Sequence, residues 1–169
     1  MLTVVSDTHS VRGHELAGRT LQAVREADLV IHAGDFMRAA VLDAFEAEAR
    51  TVRGVYGNND DSEIRERLPE ARTVDYEGFR FAVTHRVSGG PTELTLFGRE
   101  RDADAVIYGH SHKPEVDMDG ELPIINPGSH AQPRGYRKAH AELEPSEDGL
   151  AGRLVTPNGY VIDEFSLSG

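Results

Sequence analysis

The sequence predicts an α/β fold in which two packed mixed β-sheets are flanked by helices. Up to Gly109, apolar strand-like runs alternate with amphipathic stretches, and beyond it short strand-like runs are separated by turn residues. The βαβα order implies a largely parallel sheet in the first part, whereas the short, closely spaced runs imply an antiparallel C-terminal part. Because 169 residues can bury a core of their own, we expect residues 1–169 to form a single domain.

The strands of the first part are predicted from short runs rich in Val, Ile and aromatic residues, a composition typical of strands buried on both faces. These runs are Leu2–Ser6, Leu29–Ala33, Val52–Tyr56, Phe79–Thr84 and Ala105–Tyr108. Between them, apolar residues recur at helical spacing and share one face of each stretch. The predicted helices are Glu15–Ala27, Met37–Ala49, Ser62–Leu68 and Thr92–Arg101.

The C-terminal strands are predicted from runs that Asp-Gly, Pro-Gly and Asn-Gly turn signals separate. These runs are Glu115–Met118, Leu122–Asn126, Ala139–Glu144, Arg153–Thr156 and Tyr160–Phe165. A second sheet packed on the first, with the helices outside, fits both parts of the chain.

The charge of the chain excludes one class of partner. With 29 acidic and 18 basic residues, the net charge is −11, and only Lys113 and Lys138 are lysines. An acidic surface with few lysines is typical of proteins adapted to high salt, where self-repulsion is screened, but it fits a GC-rich genome equally well. A nucleic-acid backbone would be repelled over most of this surface, so we expect no dedicated nucleic-acid binding.

The composition also limits the compartment and the chemistry. The chain has no cysteine, which excludes disulfides, thiolate nucleophiles and thiolate metal ligands. No apolar run approaches the roughly 20 residues of a transmembrane helix. The start MLTVVSD has neither the basic region nor the cleavage site of a secretory signal. We therefore expect no membrane association and a cytoplasmic location.

Five apolar runs each end on side chains that can bind a metal ion. Because the carboxyl ends of strands in an open α/β sheet border the crevice where sites assemble, parallel strands would bring these side chains to one rim. The candidate metal ligands are Asp7, His9, Asp35, Asn58, His85, His110 and His112. Their oxygen and nitrogen donors suit divalent ions such as Mn, Ni, Zn, Fe or Mg.

Two pairs among these residues have a spacing that favours a shared site. Asp7 and His9, like His110 and His112, are separated by one residue, so each pair shares a face of an extended backbone. Asp35, Asn58 and His110 each directly follow a glycine, which permits the sharp turns and close approaches of a crowded site.

Taken singly, several of these residues have simpler explanations. Asp7 or Asp35 could cap a helix, and Gly57-Asn58-Asn59-Asp60 could be an ordinary turn. His85 could be a hydrogen-bonded histidine at a strand end. The joint occurrence of these residues, each after an apolar run, favours a common site.

Six motifs in this order resemble those of the calcineurin-like metallophosphoesterases, specifically the small single-domain phosphodiesterases. They are SDTH (6–9), HAGD (32–35), GNND (57–60), VTH (83–85), YGHSH (108–112) and INPGS (125–129). The resemblance implies a four-layer αββα sandwich with a dinuclear metal site at the C-terminal edge of the strands. It implies that one ion is bound by Asp7, His9, Asp35 and His112, and that the other is bound by Asp35, Asn58, His85 and His110.

The activity that the resemblance implies is hydrolysis of small phosphodiesters by a hydroxide that bridges two ions about 3.5–4 Å apart. Such ions would also stabilise the charge that develops on the phosphoryl oxygens, and the Asn58 amide could donate a hydrogen bond to one of them. Two manganese ions are the expected cofactors, with Ni, Zn, Fe or Mg as alternatives. The resemblance is also compatible with a homo-oligomer, either a dimer or a tetramer.

Asn59 departs from the family pattern, which commonly has histidine at this position to assist the leaving group. An amide cannot act as a general acid at neutral pH, so esters with good leaving groups are favoured as substrates. Asp60 is a candidate substitute, but an unperturbed aspartate would be ionised and unable to donate a proton.

Arg86 is the second departure, since the family usually has glycine there. Its guanidinium could hold a substrate phosphate by a bidentate contact, which makes it a candidate catalytic residue beside Asn58 and Asp35. It could equally point into solvent or pair with an acidic neighbour.

Two other functions compete with the phosphodiesterase hypothesis. One is a scaffold on the same fold, as in the retromer subunit that resembles this family; a scaffold is expected to lose ligand histidines, whereas all seven positions are filled here. The other is a phosphomonoesterase, against which the missing motif histidine and the little room for a cap domain argue.

Overall fold

Two β-sheets pack face to face in the computed structural model of the chain, which describes all residues from Met1 to Gly169. The strands are β1 (Leu2–Val5), β2 (Leu29–His32), β3 (Val52–Gly54), β4 (Ala71–Tyr76), β5 (Phe79–Thr84), β6 (Ala105–Ile107), β7 (Pro114–Asp117), β8 (Ile124–Pro127), β9 (His140–Ser146), β10 (Gly149–Val155) and β11 (Val161–Ser168). The helices are α1 (Gly18–Glu26), α2 (Ala39–Glu48), α3 (Ser62–Arg67) and α4 (Gly90–Arg99).

The first sheet has the strand order β11-β10-β9-β1-β2-β3, and the second has the order β4-β5-β6-β8-β7. Within the first sheet β1, β2 and β3 are parallel, whereas β9 runs antiparallel to β1. Within the second sheet β5, β6 and β8 are parallel, and β4 and β7 are antiparallel edge strands. The predicted α/β class with two mixed sheets is confirmed.

The main core lies between the sheets and includes the fully buried Phe81, Ile107, Ile125, Leu143 and Leu150. A second cluster forms where α1, α2 and α3 cover the outer face of the first sheet, and a third forms where α4 covers the outer face of the second. These four layers of helix, sheet, sheet and helix bury the apolar face of every helix. None of the helices has the length and hydropathy needed to cross a bilayer.

Three features of the strands differ from what the sequence predicted. The sequence suggested a parallel sheet from the first part and a second sheet packed on it, but β9, β10 and β11 extend the first sheet, whereas β4 to β8 form the second. Strand β4 was not predicted, because its charged Arg72 and Asp75 interrupt an apolar alternation in which only Val74 and Tyr76 are buried. Strand β10 begins at Gly149 rather than at Arg153.

Helix α1 begins at Gly18 rather than at the predicted Glu15. The backbone of Glu15 is left-handed, with φ of 57°, and Ala17 is extended, so neither continues a right-handed helix. Helix α4 begins at Gly90, ahead of the predicted Thr92, because Pro91 is well suited to the first turn of a helix.

A buried ion-pair network joins α1 to the first sheet. The Glu142 carboxylate, 1% exposed, lies 2.7 Å from Arg19 Nε and 2.6 Å from Arg153 Nη2, and His140 Nε2 lies 2.8 Å from its Oε1. Burial lowers the pKa of His140, so its neutral ring can donate from Nε2 and accept the Thr20 hydroxyl at Nδ1. Burial alone would raise the pKa of Glu142, but hydrogen bonds from His140, Arg19 and Arg153 hold it well below its usual value.

Because the pKa of Glu142 is lower in the folded chain than in the unfolded one, its contribution to stability is present above the unfolded pKa and is lost as the pH falls. We expect Glu142→Gln to lower the free energy of unfolding by about 2 kcal/mol at neutral pH, since the partly exposed arginines reduce the cost of breaking the network. Urea denaturation at several pH values measures it, and the deficit should shrink below about pH 4. Glu144→Gln, on the exposed end of the same strand, is the control; a deficit independent of pH would contradict the assignment.

Candidate metal centre

The candidate ligands lie where parallel strands of both sheets end. They are Asp7 and His9 after β1, Asp35 after β2, Asn58 after β3, His85 directly after β5, and His110 and His112 after β6. The two sheets approach closely at this edge, since a Cβ at Gly109 would clash with the Ser6 hydroxyl. The expectation that the polar strand ends converge therefore holds, although the strands belong to two sheets.

Five of the seven candidate ligands have a left-handed backbone. Their φ angles are 53° for Asp7, 47° for His9, 62° for Asp35, 72° for His110 and 62° for His112. This conformation costs a non-glycine residue on the order of 1 kcal/mol, and such residues cluster at functional sites. The chain turns at each of these residues and aims its side chain across the strand ends.

Asp7, His9 and His112 form the first group, whose candidate ligand atoms all lie within 4.8 Å of one another. Asp7 Oδ1 lies 3.6 Å from His9 Nε2 and 3.4 Å from His112 Nε2. The other carboxylate oxygen, Oδ2, accepts hydrogen bonds from Ser6 Oγ at 2.7 Å and from the backbone N–H of His110 at 2.9 Å. One oxygen of Asp7 is thus anchored and the other faces the histidines.

Asp35, His85 and His110 form the second group, with the same mutual limit of 4.8 Å. Asp35 Oδ2 lies 3.3 Å from His85 Nε2 and only 3.1 Å from His9 Nε2 of the first group. A carboxylate between the two groups is the arrangement that a bridging ligand requires.

Backbone carbonyls orient two of the imidazoles. His85 Nδ1 lies 2.8 Å from the Ala33 carbonyl oxygen, and His112 Nδ1 contacts the carbonyl oxygen of Gln132. An Nδ1–H that donates to a carbonyl leaves Nε2 with a lone pair for a metal ion. Both Nε2 atoms face the centre, so the rings are held in the tautomer that binding needs.

Four buried atoms at this edge make no hydrogen bond: Asp7 Oδ1, His9 Nε2, His85 Nε2 and His112 Nε2. Buried polar atoms without partners are costly, and most proteins avoid them. Here they converge, and all are donors that divalent transition metals accept. The residues therefore fit two metal ions, one at each group.

The carboxylates shift the pKa values of two histidines. Burial opposes protonation of His9, but Asp35 and Asp7 outweigh it and raise the His9 pKa to about 9. In the same way Asp35 and Asp7 raise the pKa of His85 against the effect of burial. The pKa of Asp35 itself is strongly lowered by His85 and His9, although burial alone would raise it. The centre attracts positive charge, and a divalent ion would displace these protons.

Burial has the opposite outcome at the remaining two histidines. It lowers the pKa of His110, with the charges of His85 and Arg86 adding to the effect, and it lowers the pKa of His112 despite the hydrogen bond to Gln132. Neutral imidazoles at these positions are ready to bind a metal ion.

Asn58 and Asn59 both lie against the second group. Asn58 Oδ1 lies 3.2 Å from His110 Nδ1. Asn59 donates two hydrogen bonds to the Asp35 carboxylate, from its backbone N to Oδ1 and from its side-chain Nδ2 to Oδ2, each 2.9 Å long. The sequence had indicated only that Asn59 cannot serve as an acid; that it holds Asp35 was not predicted.

Burial raises the pKa of Asp60 against the effect of its backbone hydrogen bonds, but those bonds engage both oxygens of its carboxylate. Its Oδ2 accepts hydrogen bonds from the backbone N–H groups of Gly57 and Asp35, and its Oδ1 accepts one from Met37. With three backbone donors, the buried carboxylate fixes the two ligand loops against each other. An aspartate in a turn commonly accepts hydrogen bonds from backbone N–H groups of that turn, so the bond to Gly57 could be expected. The bonds to Asp35 and Met37 in the other loop could not be predicted from the sequence.

Ser129 and Gln132 support the first group; the sequence placed Ser129 in a motif near the site without a role, and gave no sign of Gln132. Ser129 Oγ donates to the backbone oxygen of Asp7 at 2.7 Å and accepts from the backbone N of Gln132 at 2.8 Å. Gln132 in turn supplies the carbonyl that orients His112. The INPGS motif indicated a turn near the site, and the structure shows what that turn holds.

Arg86 is exposed, and its guanidinium makes neither an ion pair nor a hydrogen bond. Of the alternatives left open by the sequence, pairing with an acidic neighbour is therefore wrong. Arg86 borders a cavity that His110 also lines and a second cavity lined by Asn58 and His85. Its contact with substrate stays a prediction.

Comparisons with known proteins agree with this geometry. The model of the calcineurin-like phosphoesterase superfamily domain matches residues 1–146. A probable metallophosphoesterase of Methanocaldococcus jannaschii is 31% identical over 160 residues, which cover 92% of this chain and 80% of that protein. Phosphodiesterase YfcE of Escherichia coli is 32% identical over 107 residues, covering 60% of this chain and 56% of YfcE.

Two solved structures share the fold. The structure of YfcE, described as a phosphoesterase from E. coli, superposes with a TM-score of 0.75 at 23% identity and covers 99% of both chains. Wild-type Vps29 of Entamoeba histolytica, solved in complex with Zn²⁺, has a TM-score of 0.77 at 22% identity, again with 99% of both chains covered. These two likenesses concern the fold alone. With the family model and the archaeal relative matched along most of its length, the chain belongs to the calcineurin-like phosphoesterase superfamily.

Proposed function

We propose that this chain is a metal-dependent phosphodiesterase that hydrolyses small phosphodiesters at the centre described above. The observation that carries the proposal is the convergence of four buried donor atoms that make no hydrogen bond. The ligands would be Asp7, His9, Asp35, Asn58, His85, His110 and His112, with manganese as the preferred metal. Two divalent ions held there would lower the pKa of water to near neutrality and offset charge on a phosphoryl group.

The chain's own residues supply orientation and charge. Asp35 lies between the two ligand groups, and Asn59 holds it there through both of its oxygens. The Asn58 amide is exposed beside His110, where its Nδ2 would donate to a phosphoryl oxygen. Arg86 has no protein partner, so its guanidinium would hold a non-bridging oxygen of the substrate.

Proton supply to the leaving group is what the centre lacks. The Asn59 amide has no proton to transfer, and the Asp60 carboxylate is engaged by backbone N–H groups. Water must then protonate the leaving oxygen, so activity should favour diesters whose leaving group is already a good one.

We also propose that residues 1–169 act as one domain. Strand β11 lies beyond the matched residues 1–146, yet it pairs along its whole length with β10 and completes the first sheet. The scaffold alternative draws on the likeness in fold to Vps29, which was solved in complex with Zn²⁺. A complete ligand set, with Asp35 held in place by two hydrogen bonds from Asn59, argues for catalysis.

The first test is metal dependence. Metal-stripped protein should hydrolyse bis(p-nitrophenyl) phosphate only after Mn, Ni, Zn or Mg is added back, and elemental analysis should find two ions per chain. Release of p-nitrophenol is measured across a range of salt concentrations, because an acidic chain can require high ionic strength. Protein that binds no metal and is stimulated by none would be a scaffold.

The second test concerns the ligands. We expect His112→Ala and Asp35→Asn to reduce kcat by about two to three orders of magnitude, since each removes a donor that fixes charge at the reacting group. His14→Ala is the matched control, because that histidine bonds Glu48 away from the centre. Activity retained by both ligand variants would reject the site.

The third test concerns Asn59. Replacing it with alanine removes the side-chain hydrogen bond to Asp35 but keeps the backbone one, and we expect Mn affinity to fall about 10- to 100-fold. Calorimetric titration of the stripped protein measures this directly. Asn158→Ala, at an exposed turn far along the chain, serves as control. Equal affinity in Asn59→Ala and the parent would show that Asn59 does not position the carboxylate.

A further inference from the structure

A cavity of about 170 Å³ opens beside the proposed metal centre on the outer face of the second sheet. Gly109 and His110 line what we call its inner end, and since His110 belongs to the second ligand group, the cavity borders that group. Arg86 also borders this end. We call this cavity the Leu94 pocket. Its walls are formed by Val87, Pro91, Leu94, Tyr108 and Ile124.

The pocket exists because α4 does not reach the edge of the sheet. This helix packs mainly against β5, β6 and β8, and less against the edge strand β7. Along β7, Val116 packs into the core between the sheets, so the neighbouring Glu115 and Asp117 point to the side of α4. The space between α4 and these two carboxylates is the pocket.

The Leu94 pocket has basic side chains at its inner end and acidic side chains along β7. Arg86 and His110 lie at the inner end. Asp117 pairs with Ile124, whereas Pro114 pairs with Pro127 at the end of the sheet that carries the ligands. Asp117 follows Pro114 by three residue steps along the strand, which places it about 10 Å from that end. Glu115 is partly neutralised by Lys113 at 3.1 Å, whereas Asp117 has no basic partner.

Resting on the proposed phosphodiesterase function, we propose that the Leu94 pocket binds one ester group of the substrate and selects an apolar group without negative charge. The phosphoryl group lies at the metal centre, and the ester group extends along Leu94 and Ile124 towards Asp117. An aryl or branched alkyl group removes apolar wall from water. A second phosphate or a carboxylate would meet Asp117 and Glu115, whereas an ammonium group would be attracted to them.

Substrate preference tests this pocket. The substrates are p-nitrophenyl phosphodiesters whose second ester group is methyl, phenyl, 4-carboxyphenyl or 4-(aminomethyl)phenyl. We expect kcat/KM for the phenyl ester to exceed that for the methyl ester by about 10-fold or more, the range that apolar pockets supply. The carboxyphenyl ester should be several-fold poorer than the phenyl ester, and the aminomethyl ester should be at least as good as the phenyl ester.

Two variants with matched controls localise the effect. Asp117→Lys should reverse the preference between the carboxyl and aminomethyl esters, whereas Asp119→Lys, exposed two residues away, should not. Val87→Ala should lower the ratio of phenyl to methyl kcat/KM several-fold, whereas Ser88→Ala should leave it unchanged.

A binding measurement separates this inference from the proposed function. Diphenyl phosphate should raise the melting temperature of the metal-loaded protein more than dimethyl phosphate does, and Asp117→Lys should strengthen binding of a carboxylated analogue. If no ester is hydrolysed but this order of binding holds, the pocket stands and the phosphodiesterase function fails. If hydrolysis depends on metal while phenyl and methyl esters are equivalent and Asp117→Lys behaves like Asp119→Lys, the pocket assignment is wrong. That result would leave the cavity for a side chain of a protein partner.

Discussion

The Asp7 carboxylate joins the two sheets at the edge where the centre forms. Its Oδ2 accepts hydrogen bonds from Ser6 at the end of the first sheet and from the backbone of His110 beyond β6 in the second. Its backbone oxygen accepts a third from Ser129, in the turn after β8. These bonds leave Oδ1 buried without a partner and facing the histidines. Asp7 therefore both joins the two sheets and leaves a buried carboxylate oxygen that a cation at this edge would stabilise.

The ligand set could be predicted from the sequence because strand ends in α/β sheets share an edge, and apolar runs mark strand ends clearly. Which strands pair with each other in the sheets could not be predicted in the same way. The composition of β9 gives no sign that it pairs with β1 rather than with β8, since register depends on the tertiary fold. Strand β4 was not predicted because an edge strand tolerates charged residues such as Arg72 and Asp75, which obscure its apolar alternation.

Contacts made by polar side chains were the least predictable part of the site. The sequence showed that Asn59 cannot act as an acid, but its hydrogen bonds to Asp35 depend on the turn that contains both Asn59 and Asp60. Asp60 fixes that turn against the loop that carries Asp35. The network around Glu142 was likewise hidden, because Arg19 and Glu142 are 123 residues apart in the chain. Periodicity reports which face of an element is apolar, and it carries no information on which distant charge a buried polar residue meets.

Charge gives the proposed specificity a common physical basis. The chain has a net charge of −11, so its surface repels multiply charged phosphates more than a diester, which carries a single negative charge. Two divalent ions would exceed the charge of Asp7 and Asp35 and make the centre locally positive. At the far end of the Leu94 pocket, Asp117 restores negative potential close to the site. A substrate with one central negative charge and a cationic ester group meets attraction at both ends. An uncharged ester group meets no repulsion at Asp117, whereas any further anionic group does.

Strain and unpaired polar atoms at the centre oppose folding in the absence of metal. Five left-handed ligand residues and four buried donors without hydrogen bonds each cost free energy that the core between the sheets must offset. Binding of ions to the folded chain alone would recover part of that cost, because a ligand that favours the native state stabilises it by mass action. The positions of the ligands are maintained by the packed sheets and by the hydrogen bonds of Asp7, Asn59 and Asp60. The donors are then already in place when an ion arrives, so little of the binding free energy is spent on ordering them.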